Sequence, residues 1–138
     1  MVDQDILTAK TASIQRCLRR IAAVTNLAPE SLHDIDIQDI FVLNLQRAAQ
    51  ASIDLAAHII ADEGLGLPAS LREHFTLLEE NKILSKDLCE KMIAMVGFRN
   101  IAVHEYQDID VEILKSILQN NLKDFEAFYG AILNRFSR

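Results

Sequence analysis

Eight consecutive residues, Arg99-Asn100-Ile101-Ala102-Val103-His104-Glu105-Tyr106, gather a guanidinium, an amide, an imidazole and a phenol in an otherwise apolar stretch. An imidazole changes charge near neutral pH and so carries protons, and a guanidinium holds anions without losing its own charge. The surrounding segment is locally positive: from Lys82 to His104 four bases (Lys82, Lys86, Lys91, Arg99) stand against two acids (Asp87, Glu90). An anion-attracting face is expected there, partly offset by Glu105.

Familiar catalytic templates are missing elsewhere. The one Glu-x-x-His is Glu30 to His33, a single copy where di-metal bundles need two, and His-Glu-x-x-His is absent. No glycine-rich phosphate loop, dinucleotide fingerprint or Gly-x-Ser-x-Gly elbow occurs. No metal and no cofactor are expected.

The elements that must position the cluster read as helices throughout. Asp3 is a plausible N-cap for a first helix striped by Ile6, Ile14, Cys17, Leu18, Ile21 and Val24, ending before Pro29. A long central helix starts near Asp36 and stops at Gly64, Gly66 and Pro68. Ser70 and Glu73 have the spacing of a capping box, and Ser85 caps a fourth helix that carries the polar cluster at its far end. Gly97 lies inside that helix, where close approach of another backbone would explain it. A fifth helix spans about Asp110 to Phe136, with Val111, Leu114, Ile117, Leu118, Phe125, Phe128 and Ile132 in register. No segment alternates with period two. The expected fold is all-α, an up-and-down bundle of four to five helices forming one domain over residues 1–138.

Composition narrows the class. With 14 bases, 20 acids and a formal charge of -6, the chain is not a generally basic nucleic-acid glove, so any polyanion must meet a local site. Cys17 and Cys89 are too few for a disulfide framework and are expected to be small buried residues. The stretch Ala48 to Ala61 is broken by Gln50, Ser52, Asp54 and His58, far short of the ~20 clean residues of a membrane span. Two acids in MVDQD stand where a secretory leader carries positive charge. A cytoplasmic location is expected.

The arrangement Arg99, four residues, His104, one residue, Tyr106 resembles the R-x4-H-x-Y motif of HepT-like toxins in the HEPN superfamily. Asn100 fits too, since a polar residue after the arginine is usual there, and chain length and helix order agree. The resemblance implies a homodimeric, metal-independent endoribonuclease, the toxin of a type VII-like toxin-antitoxin pair, held in check by a minimal nucleotidyltransferase antitoxin. It implies Arg99 and His104 as catalytic, Asn100 as supporting and Tyr106 as the acceptor of AMP. The chemistry is consistent, because RNA carries its own nucleophile in the 2'-hydroxyl and needs a proton carrier and a cation to stabilise the phosphorane. Asn100, one turn before His104, is placed to orient the imidazole or to donate to phosphate.

Helical geometry sets a constraint on that reading. Residues five apart on an ideal helix point about 140° away from each other, so Arg99 and His104 need not meet on one phosphate. A wrapped arginine, a local distortion or a second subunit would each bring them together, and the second subunit is the favoured solution. The competing reading is a noncatalytic helical module that binds a nucleotide or a nucleotidyltransferase through the same cluster. Taken singly, Arg99 suits a macrodipole partner, His104 a half-buried helix-end histidine and Tyr106 a packed ring with a wet hydroxyl. His58 is expected to pair with Asp54 one turn earlier, His33 and His74 to face solvent, and Met92 and Met95 to fill packing gaps. The acids Asp34, Asp36, Asp39, Glu79 and Glu80 are expected to be a solvated surface.

Overall fold

Side chains that satisfy orphan backbone amides set where most helices begin. In the computed structural model, which describes all 138 residues, Asp3 accepts from the amides of Asp5 and Ile6 to open α1, Gln4–Thr25. Asp34 does the same for α2, Ile35–Asp62, at 2.9 Å from the Asp36 amide and 3.3 Å from that of Ile37. Ser70 accepts from Glu73 to open α3, Leu71–Glu80, and Ser85 accepts from Leu88 to open α4, Lys86–His104. Asp34 is exposed as expected and is also a cap. A short 3-10 turn, Pro29–His33, joins α1 to α2, and a second, Tyr106–Asp108, follows α4.

The expected fifth helix is two. Asp110 caps α5, Val111–Asn120, and α6 runs from Leu122 to Phe136, so the bundle has six α-helices. The chain breaks at Asn121, whose backbone (φ -118°, ψ -7°) leaves helical geometry. Its side-chain amide donates to the Asp124 carboxylate at 3.0 Å, a side-chain bond that spans the break. Leu118 and Phe125 lie seven residues apart, so the apolar stripe keeps its phase across the break and conceals it.

α1 and α2 pack along each other as a long hairpin, and α2 also touches α3, α4 and α6. One core of 33 buried apolar side chains joins the helices. Phe41, Phe75, Phe125 and Phe128 are fully buried, with Phe75 and Phe128 edge to face at 5.7 Å. Met92 and Met95 are in the core, and both cysteines are buried and free, as their types suggested. No helix is long and apolar enough to cross a membrane.

Two local expectations fail. Asp54 does not pair with His58; it takes Lys10 of α1 at 3.2 Å and Gln50 at 3.0 Å, because the ammonium of the neighbouring helix competes better for it. Nor does any backbone crowd Gly97, since a Cβ there would meet nothing within 4 Å. That glycine is exposed, on a face this chain leaves uncovered.

Truncating Phe128, which is fully buried and touches the ring of Phe75, is expected to lower unfolding free energy by about 3–5 kcal/mol. Urea denaturation of Phe128→Ala measures this, with a lower midpoint and an unchanged slope.

Candidate functional site

α4 delivers the polar cluster and stays a regular α-helix through its last residue, His104. A local distortion therefore does not reorient the motif. On that helix Arg99 falls within about 40° of Met92 and Met95, which face the core. His104 falls within about 60° of Gly97 and Ile101, which face out. The two side chains diverge, and no hydrogen bond joins them.

Arg99 is half-buried and forms no ion pair. Its Nη1 donates to Asn100 Oδ1 at 3.1 Å, while its Nε is shielded from solvent and has no acceptor. A shielded, unpaired donor costs about 1–3 kcal/mol unless something supplies an acceptor. Asn100 thus holds the guanidinium, not the imidazole. His104 is exposed, with its ring bonded to no protein group, at the C-terminus of α4.

Past His104 the chain turns at Glu105, whose amide donates to the Ile101 carbonyl at 2.7 Å, and Tyr106 opens the 3-10 turn. The Tyr106 ring is half-buried against the core rather than freely exposed. Its hydroxyl donates to the Asp39 carboxylate of α2. Burial, and after it this bond to Asp39, push the phenol above its ordinary range, so Tyr106 stays protonated at neutral pH.

Asp39 is the residue that sequence reasoning missed. It stands among acids of ordinary surface character, and its partner lies 67 positions away. The remaining histidines carry no comparable arrangement: His33 lies 3.4 Å from Glu30, and His74 bonds the Ser70 carbonyl at 2.9 Å. The local positive charge is also smaller than its residue count, because Lys91 is bound to Asp87 at 3.1 Å. No three His, Cys, Asp or Glu side chains gather as a metal site.

Beside the cluster α4 shows an apolar outer surface. A groove of about 400 Å³ between α4 and α5 is lined by Ala94, Gly97, Phe98, Ile101 and Ile113, with Ile101 46% and Ile113 53% exposed. α4 is apolar on its inner and outer sides alike, the pattern of a helix covered on both.

Known proteins resemble this chain in sequence and fold. The chain is 42% identical over 128 residues to an mRNA nuclease HepT of Shewanella oneidensis, covering 93% of this chain and 96% of that protein. A tRNA nuclease HepT of Aphanizomenon flos-aquae is 30% identical over 110 residues, 79% of this chain and 75% of the relative. Among solved structures, a tri-AMPylated HEPN toxin of Shewanella oneidensis in complex with MNT antitoxin superposes with a TM-score of 0.89 at 41% identity, over 94% of this chain and 98% of that one. A toxin-antitoxin crystal structure with AMP-PNP gives 0.88 over the same shares. Residues 14–132 match the family described as Ribonuclease HepT-like, and with an all-helical HEPN fold to go with that match, the chain belongs to the HepT-like ribonuclease family.

Proposed function

We propose that this chain is a metal-independent endoribonuclease toxin, cytoplasmic and homodimeric, silenced by a nucleotidyltransferase antitoxin that transfers AMP to Tyr106. The observation that carries the reading is the state of Arg99: a half-buried guanidinium with no carboxylate and an unfilled Nε donor, in a chain with six surplus acids. Such a cation is short of an anion, and a phosphodiester supplies one. The relatives named as RNA nucleases support the choice of substrate.

In the proposed reaction the 2'-hydroxyl oxygen attacks the adjacent phosphorus and the bond to the 5'-oxygen breaks. His104 carries the proton and Arg99, steadied by Asn100, stabilises the charge gathering on the phosphorane. The products are a 2',3'-cyclic phosphate and a 5'-hydroxyl. Because Arg99 and His104 diverge on one straight helix, a second copy completes the cleft. The outward apolar face at Gly97 and Ile101, shared with His104, is where that copy packs.

Asp39 gives Tyr106 a proton acceptor. When the phenolic oxygen attacks the α-phosphorus of ATP held by the antitoxin, the new O–P bond forms, the bond to the β-phosphate oxygen breaks and pyrophosphate leaves. The phenolic proton passes to Asp39. The attached phosphate then lies two residues from His104, adding bulk and negative charge where RNA must bind.

Replacing His104 with Ala is expected to cut RNA cleavage in the presence of chelator by at least about a hundredfold while circular dichroism stays unchanged. Cleavage at the parental rate overturns the assignment. Ile101→Asp is expected to convert the dimer to monomer on size-exclusion chromatography and to remove cleavage with it. Asp39→Asn is expected to slow AMP incorporation into Tyr106 by roughly a hundredfold, read by mass spectrometry of the Tyr106 peptide.

A further inference from the structure

The largest cleft in the molecule lies away from the motif, between α1 and α2, with a volume of about 720 Å³. Arg16 and Arg20 of α1 and Arg47 of α2 line it. None of the three forms an ion pair, although acids outnumber bases in the chain as a whole. The only polar contact any of them makes is a weak one from Arg16 to Ser13 at 3.5 Å. The one carboxylate on the wall, Asp54, is already held by Lys10 and Gln50. Cys17 lies between them: burial raises its thiol, while the charges of Arg47 and then Arg16 pull it down, so both guanidiniums act on the same floor.

The cleft and the candidate site share α2. Ile40 and Leu43, which line its near end, are one residue and one turn from Asp39, the carboxylate that holds Tyr106. Asp39, Leu43 and Arg47 fall within about 80° of one another on the helix, so one face of α2 leads over about 12 Å from the partner of Tyr106 to Arg47 in the groove.

We propose that the α1–α2 groove is an RNA-tracking site, in which Arg16, Arg20 and Arg47 grip the phosphates of a single strand whose scissile bond lies at the Arg99 and His104 centre. The proposal rests on the ribonuclease reading and deepens it. Planar, permanently charged forks suit phosphate oxygens, and Leu43, 44% exposed, offers an apolar contact to a ribose or base. No aromatic ring lines the groove, so it lacks both the stacking platform of a base reader and the aromatic anchor that centres a protein interface. It therefore contributes affinity and strand direction without reading sequence.

The test uses the triple variant Arg16→Gln, Arg20→Gln, Arg47→Gln, with the triple variant Arg72→Gln, Lys123→Gln, Arg135→Gln, exposed positions outside the groove, as a matched loss of three surface charges. All three groove arginines are exposed, and circular dichroism checks that the fold survives. Binding of a single-stranded RNA of about 20 nucleotides, measured in the uncleaving His104→Ala background, is expected to weaken roughly tenfold, with the slope of log affinity against log salt falling by about 2. In the active background, the ratio of kcat/KM for that RNA to kcat/KM for a dinucleotide is expected to fall by a similar factor. Unchanged affinity and salt slope overturn the proposal. So does unchanged RNA binding accompanied by loss of antitoxin co-purification, which assigns the groove to a protein partner. Failure of the ribonuclease reading is distinguishable, because then the parental chain cleaves neither substrate.

Discussion

The regularity of α4 up to His104 is the constraint that shapes the site. A helix that stays straight over that length fixes the angle between its side chains, and five positions separate the guanidinium from the imidazole by about 140°. Arg99 is thereby directed toward the bundle, where partial burial strips water from it, and His104 is directed out, where a proton can come and go. Each placement suits its chemistry. A partly desolvated cation interacts more strongly with charge than one in water, and an exposed imidazole exchanges protons freely. On the proposed reading, the same divergence leaves one copy with two half-sites rather than one whole site, and the outward apolar face of α4 and that incompleteness have a common resolution in a second subunit.

Features set by neighbours in sequence were legible before the structure. Asp3, Ser70 and Ser85 announced helix starts because a cap needs only a side chain and the amides two or three residues on. The buried stripe of α1 was legible for the same reason, since periodicity is a local property. The break at Asn121 was not, because Leu118 and Phe125 hold their phase across it and the bond that secures it reaches only to Asp124. Asp34 and Asp39 carry the same side chain five residues apart, yet one caps α2 and the other receives Tyr106. Only tertiary structure separates those roles. Within the motif, spacing nominated Asn100 as a neighbour of His104 one turn on, whereas the adjacent guanidinium takes its carbonyl oxygen.

The Tyr106–Asp39 contact couples the end of α4 to α2. A phenol held against the core and bonded to a carboxylate has its hydroxyl oriented before any partner arrives, so less ordering is required when a nucleotide is presented. On the proposed reading, burial and activation, which oppose each other at an isolated tyrosine, are reconciled by the carboxylate of Asp39 already bonded to the hydroxyl.

Charge distribution ties the groove to the centre. A chain with six surplus acids repels RNA as a whole, and screening limits that repulsion to about 8 Å at physiological salt. A strand therefore responds chiefly to what lies within that distance, and along the α1–α2 cleft it meets three guanidiniums with no carboxylate to satisfy them. Arginines that cost the protein no ion pair are available in full to phosphate. On the proposed reading the net negative charge acts as a filter: it disfavours nonspecific adhesion over most of the surface and leaves the arginine groove as a path, one of whose lining residues, Leu43, is a single helical turn from Asp39, the partner of the tyrosine that AMP transfer would make anionic. A modification there adds charge of the sign the path is built to attract, at the point where the strand must turn into the cleft, so inhibition requires no change of fold.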